Sequence, residues 1–417
     1  MRKTCSILAT LSVASVLAAC ADQVTAPAAP PETAPSRVLA AAPGAQVVPG
    51  RYVVVFRDEV ADAPGLASRL AAAHGGTVHY TYRHAIKGFA ATLSPRAVEA
   101  LGRNPNVAYV QPDQLFRAAG VQYNAPWGLD RVDQRYLPLS TFFTYASTGS
   151  GVRIYVIDTG IRMSHPDFEG RASPGYDAFG GQGVSQPGDD CSGHGTHVAG
   201  IAGSETYGVA KDVSLVSVRS MWCDGNAYML TGSTSTLTAG VEWVTAHHVP
   251  PAVANMSVGG FPDAVLENAI RNSIASGVTY VIGAGNGGVD ACGVSPANVA
   301  EALTVGATMI DDQRATNRYW GSSNYGSCVD VFAPGDEITS LSMNGGTLTA
   351  GGTSMATPFA AGLAARYLGL YPDALPAEVH AFVVENATLG AVIDPQTASP
   401  RLLYTVIGGR RRACCTP

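Results

Sequence analysis

Apolar residues recur along this chain in two rhythms, and the change from one to the other divides it. Between residues 50 and 117, short runs at 51–56, 77–82, 89–93 and 107–110 read as strands, with helical spacing at 65–74 and 95–103. That βαββαβ order predicts a small α+β unit of ferredoxin-like form. From 118 to 407 the apolar runs become continuous, at 152–157, 213–218, 253–256, 279–282 and 303–307. Runs of this kind suit strands buried on both faces. Helical patterns at 237–247 and 264–276 separate them, so the chain reads as α/β, with a mostly parallel central sheet flanked by helices. Active groups are then expected at the carboxyl ends of the strands.

The outer segments follow neither rhythm. Met1-Arg2-Lys3 and the apolar stretch 7–19 have the form of a secretory signal, and the stretch is too short for a membrane span. Its end, Leu17-Ala18-Ala19-Cys20, resembles a bacterial lipoprotein box, which places cleavage before Cys20 and a lipid on its sulfur. Ordinary cleavage after Ala21 is the alternative. Residues 21–49, rich in Ala and Pro, read as a tether, and 408–417 as a tail carrying Arg410-Arg411-Arg412. The expected location is secreted or periplasmic, with contact to a membrane only through lipid on the precursor.

Composition narrows the class. A chain of 417 residues with 46% hydrophobic content can bury a large core, and a net charge of -6 with no long basic tract gives nucleic-acid binding no support. Of eight cysteines, Cys5 and Cys20 belong to the leader and Cys414 and Cys415 to the tail. Cys191, Cys223, Cys292 and Cys328 remain, an even internal set that suggests disulfides in an exported chain, with three pairings available. Zinc is disfavoured because this set has no Cys-x-x-Cys spacing.

Candidate chemistry centres on Gly351-Gly352-Thr353-Ser354-Met355-Ala356-Thr357-Pro358, a glycine turn that opens a long apolar helical run over 353–370. Ser354 falls in the first turn, where free N–H groups and the helix dipole favour a developing oxyanion. Alone it would be a helix cap. Asp158 closes the run 152–157, and His194 lies in Ser192-Gly193-His194-Gly195-Thr196-His197. A lone strand-end Asp is often a cap, and a lone Gly-flanked His is often a core group. The order Asp, His, Ser is the subtilisin order, distinct from those of chymotrypsin and the α/β-hydrolases. With Gly283-Ala284-Gly285-Asn286, these segments resemble the four signature blocks of the subtilisin superfamily. The flanking text is similar to the proteinase K branch, especially aqualysin-type enzymes, over roughly 120–407. A weaker similarity to the family's inhibitory propeptide covers about 50–117.

The resemblance implies a serine endopeptidase made as a zymogen, acting on proteins and peptides, monomeric, and inhibited by its own propeptide until self-processing between about Arg117 and Gln122. It assigns Asp158, His194 and Ser354 to a triad and Asn286 to the oxyanion hole. Ser257-Val258-Gly259-Gly260 and Gly283-Ala284-Gly285, with Gly225, match the specificity-pocket walls. Their lack of charge and bulk suits aromatic or large aliphatic residues before the scissile bond. The resemblance pairs Cys191 with Cys223 and Cys292 with Cys328. It requires no cofactor for catalysis, and implies structural Ca²⁺ held by Asp330 and the carbonyls of Ala300 and Ala302, oxygen ligands of the type calcium takes. His197 reads as structural, because no His-Glu-x-x-His pattern accompanies it. Three departures stand out: 226–231 and 317–322 look inserted, and Phe359 replaces the usual histidine. A lipase would need Gly-x-Ser-x-Gly, but Ala356 occupies the second glycine. The other alternative, an inactive binding module on a protease fold, has all four catalytic residues against it.

Overall fold

The computed structural model describes residues 37–41, 47–114, 120–223, 230–317, 319–398 and 400–407. Cys20, Cys414, Cys415, Gly225 and most of the 226–231 segment lie outside them. The chain divides into two compact units, one of Pro49–Asp113 with the preceding residues to Ala40, the other from Gln114 onward with a short stretch before Pro49.

In the first unit, a four-stranded sheet runs in the order Thr77–Tyr82, Gly88–Thr92, Val47–Phe56, Val107–Gln114. With helices Ala63–Ala73 and Pro95–Gly102 this is the expected ferredoxin-like α+β arrangement. The first helix starts two residues before the apolar spacing suggests, because Asp62 caps it by accepting from Gly65 N–H at 2.9 Å. Phe56, Phe89, Leu101, Val107 and Val110 form its core. Other boundaries also differ from the sequence reading. The first strand begins at Val47, and Val38 bridges Val110, with Leu39 N–H donating to Val110 O at 2.8 Å. Part of the Ala/Pro-rich segment is therefore held by backbone hydrogen bonds, which composition does not reveal.

The second unit is built on a nine-stranded sheet. Its order is Thr388–Leu389, Arg401–Leu402, Val331–Pro334, Leu303–Thr308, Val278–Gly283, Ala252–Met256, Arg153–Asp158, Ser214–Arg219, Ala172–Asp177. All pairings are parallel except the first. Side chains alternate between two cores, as a pleated strand requires. Ile154 and Val156 face the layer holding helices His194–Gly203 and Thr353–Leu370, whereas Tyr155 and Ile157 face helices Thr234–His247 and Ala264–Ala275. Both faces being covered explains why these strands read as continuous apolar runs. Phe359 lies in the first core, 2% exposed, so the departure from histidine there is a packing matter.

Candidate active site

Asp158 is the last residue of Arg153–Asp158 and fully buried. Its Oδ1 accepts from Thr159 N–H and meets His194 Nδ1, both at 2.7 Å. The second oxygen has no hydrogen-bond partner among the described residues. His194 is the first residue of its helix, entered through Gly193 at φ 99°. Burial pulls the imidazole down, but the Asp158 carboxylate, with a contribution from Asp190, outweighs it and the pKa is raised.

The loop before His194 is organised by a residue the sequence reading did not single out. Asp190 is buried, and it accepts from Thr159 Oγ1 at 2.8 Å, from Ser192 and Gly193 N–H at 2.9 Å each, and from Thr196 N–H at 2.8 Å. Thr159 Oγ1 in turn accepts from Gly195 N–H at 3.0 Å. A carboxylate four residues ahead of a helix start was the available signal, as a capping pattern.

Ser354 is the second residue of the helix Thr353–Leu370. Four residues on, Pro358 has no N–H to give to the Ser354 carbonyl. The Ser257 hydroxyl supplies that donor, at 3.0 Å. Ser354 Oγ donates in return to Ser257 O at 3.3 Å, so in this structure the hydroxyl is turned toward Ser257 and not toward His194. Catalytic hydrogen bonds often form only with substrate bound. Both His194 and Ser354 line one cavity of about 530 Å³.

Asn286 follows Val278–Gly283. Its Oδ1 accepts from Thr353 N–H at 2.8 Å and from Thr353 Oγ1 at 3.1 Å, which orients the amide. Asn286 and Ser354 both line a second cavity of about 360 Å³. Gly352 makes the approach of Asn286 feasible. Its φ is +115°, and a β-carbon there would lie 3.0 Å from Asn286 Nδ2.

Ser257, Val258, Gly259, Gly283 and Gly285 line that second cavity. Ala284 does not. Strand-like alternation turns its methyl inward, where it packs with Ala291, Ala297 and Phe332. Asn324, also missed, is buried beneath the pocket and ties its wall together: Nδ2 donates to Ala284 O at 2.7 Å, and Oδ1 accepts from Val289 N–H at 3.0 Å. His197 is buried away from both cavities, its Nε2 within 3.1 Å of Ile338 O and 3.0 Å of Leu348 O. Cys191 is bonded to Cys223 and Cys292 to Cys328, across 32 and 36 residues of sequence. Asp330 Oδ2 accepts from Thr304 N–H at 2.8 Å and lies 3.4 Å from His380 Nε2.

A parallel α/β sheet carrying a buried Asp–His pair, with a serine at a helix start across the same cavity, defines a serine hydrolase of the Asp-His-Ser order. Comparison with known proteins places it more narrowly: the subtilase family model matches residues 149–403, and the peptidase inhibitor I9 model matches 51–119. The chain belongs to the subtilase family of serine proteases, preceded by an I9 propeptide. It is 45% identical over 413 residues to an extracellular serine proteinase of Thermus sp. (strain Rt41A), covering 94% of this chain and 96% of that one. It is 41% identical over 392 residues to alkaline serine exoprotease A of Vibrio alginolyticus, covering 90% and 71%. A cold-adapted subtilisin-like serine proteinase of known crystal structure aligns with a TM-score of 0.64 and 44% identity, over 68% of this chain and all of that one.

Proposed function

We propose that this protein is an exported endopeptidase of broad specificity, in which His194 takes the proton of Ser354 as the hydroxyl attacks the peptide carbonyl. Asp158 holds the imidazole's Nδ1–H, fixing the tautomer and stabilising the imidazolium. The Asn286 amide and the Ser354 N–H receive the oxyanion of the tetrahedral intermediate. His194 then returns the proton to the leaving amine. The observation that carries this reading is the 2.7 Å contact between buried Asp158 Oδ1 and His194 Nδ1, with Ser354 on the same cavity.

Specificity follows from the walls. The pocket beside Asn286 is lined by glycines, Val258, Val289 and Val294 with no charged side chain. It suits an aromatic or large aliphatic residue before the scissile bond. The adjoining backbone at 257–260 suits an extended substrate paired as an added strand, which gives affinity with little sequence reading.

The I9 unit acts as intramolecular inhibitor until the enzyme cuts itself free. The expected junction lies between about Arg117 and Gln122; its described part, from Gly120, is a strand paired with Phe142–Tyr145. Lipid on Cys20 then tethers the precursor and not the mature enzyme. Monomeric action fits a site composed within one unit.

Calcium is assigned a structural role. Asp330 keeps Oδ1 without a partner among the described residues, while Oδ2 is held by Thr304 and faces His380. The residues that would hold the cation are Asp330, through its carboxylate, and Ala300 and Ala302, through their carbonyls, oxygen ligands of the type calcium takes.

The test is Ser354→Ala in the purified enzyme. Casein hydrolysis should fall on the order of 10⁶-fold, the loss known for subtilisin itself, with the fold intact. A serine-directed phosphonylating reagent should label the Ser354 peptide and no other. Near-normal turnover in the variant would sink the triad assignment.

A further inference from the structure

The turn between the short strands Thr316–Asn317 and Gly321–Ser322 carries an aromatic side chain that the site described above does not use. These strands pair antiparallel, Thr316 with Ser322 and Asn317 with Gly321. They belong to the inserted-looking segment 317–322. The second strand is bound to the loop that presents Asn286: Ser322 N–H donates to Asn286 O at 3.1 Å, and Gly288 N–H to Ser322 O at 2.9 Å. Gly321 permits this approach, with φ +83° and an imagined β-carbon 2.4 Å from Asn286 O. Trp320, the preceding residue, is partly buried, and its indole lies against Gly351 of the nucleophile turn. A β-carbon on Gly351 would lie 2.5 Å from Trp320 Cδ1 and 2.9 Å from Nε1. Gly351 is three residues before Ser354, so one indole touches the nucleophile turn while its own backbone continues into the strand bound to the Asn286 loop.

The cavities separate the two sides of the nucleophile. Both take walls from Ser257, Val258, Gly259 and Gly260 together with Ser354, and neither includes Gly351 or Trp320. On the proposed function, they receive the half of a substrate that ends at the attacked carbonyl. The half that leaves is then left with the Gly351 side of the turn, against which the Trp320 indole lies. We propose that Trp320 is a specificity-determining residue on the leaving-group side, stacking against an aromatic or large aliphatic side chain on the residue that follows the scissile bond. An indole held between two loops offers apolar area at low entropic cost. This rests on Ser354 being the nucleophile.

The experiment uses the mature enzyme and a peptide ester whose acyl-enzyme divides between water and an added amine, either glycinamide or phenylalaninamide. Amine attack forms a C–N bond as the ester bond to Ser354 Oγ breaks, and the amine's proton returns to the serine through His194. The amine must therefore occupy the leaving-group side. The ratio of the two amide products is read on one acyl-enzyme, so general damage to the catalyst cancels. Trp320→Ala is expected to lower the preference for phenylalaninamide about three- to tenfold, and Trp320→Phe to retain most of it. An unchanged ratio in Trp320→Ala, or an equal loss for both amines, overturns the proposal. If Trp320→Ala does not fold, Trp320→Leu is compared in the same way. Ester hydrolysis retained in Ser354→Ala would instead overturn the nucleophile assignment, a result distinct from an unchanged ratio.

Discussion

Two histidines three residues apart face opposite electrostatics. His194 is lowered by burial but raised more by Asp158 and Asp190. Only its neutral form accepts a proton, so kcat/KM should fall as pH drops through a pKa above the ordinary value of about 6.5. Asp158→Asn should move that acid limb to lower pH and reduce kcat on the order of 10⁴-fold, as in trypsin-type triads. An acid limb unmoved in the variant contradicts the pairing. His197 is lowered to about 4, chiefly by burial, against the raising effect of the Leu348 and Ile338 carbonyls. The unfolded chain therefore binds this proton first, and stability is lost as pH falls from about 6.5 toward 4, on the order of 3 kcal/mol. Denaturation midpoints of wild type and His197→Gln should converge over that window; a gap that widens would refute neutral burial.

Single elements owe their position to partners distant in sequence. The helix Thr353–Leu370 contains Pro358, and its unpaired Ser354 carbonyl is satisfied by Ser257 from the segment after another strand. Ser257→Ala leaves that carbonyl without its donor, and should cost about 1–3 kcal/mol while lowering kcat, because the nucleophile's own turn relaxes. The disulfides span 32 and 36 residues, for which loop-closure entropy gives about 3–4 kcal/mol each. Their functional weight differs. Replacing Cys292 and Cys328 by serine should speed thermal inactivation with little change in initial rate. Replacing Cys191 and Cys223 should also lower turnover, since Cys191 sits between Asp190 and Ser192 on the loop leading to His194. Equal effects on initial rate from the two pairs would contradict this division.

For the whole molecule, export, folding and activation form one sequence of events. The Ser354→Ala precursor should remain a single uncleaved chain, held on membranes by lipid at Cys20. Wild type should release a soluble enzyme whose amino terminus lies between about Arg117 and Gln122. A mature enzyme that stays membrane-bound through its own chain, or an uncleaved variant that is fully soluble, would overturn the tether. Chelating Ca²⁺ should lower the melting temperature more than the initial rate, because Asp330 immediately precedes the strand Val331–Pro334, four strands away from Arg153–Asp158 in the sheet.

Read as residues alone, the chain already marked five of the nine central strands, the helices over 237–247, 264–276 and 353–370, and Asp158, His194, Asn286 and Ser354 as candidates, because each sits in a short local pattern whose chemistry depends on its neighbours. The helix over 353–370 was legible to the residue, since an apolar run bounded by a glycine turn has one reading. The tertiary structure decided what depends on distant contact. It set the Ser354 hydroxyl toward Ser257, turned Ala284 away from the pocket, and gave Asp190 and Asn324 their positioning parts. It also brought Trp320 against Gly351. None of these is periodic or local: each is a hydrogen bond or van der Waals contact between segments whose separation in space only the packed sheet and its helices fix.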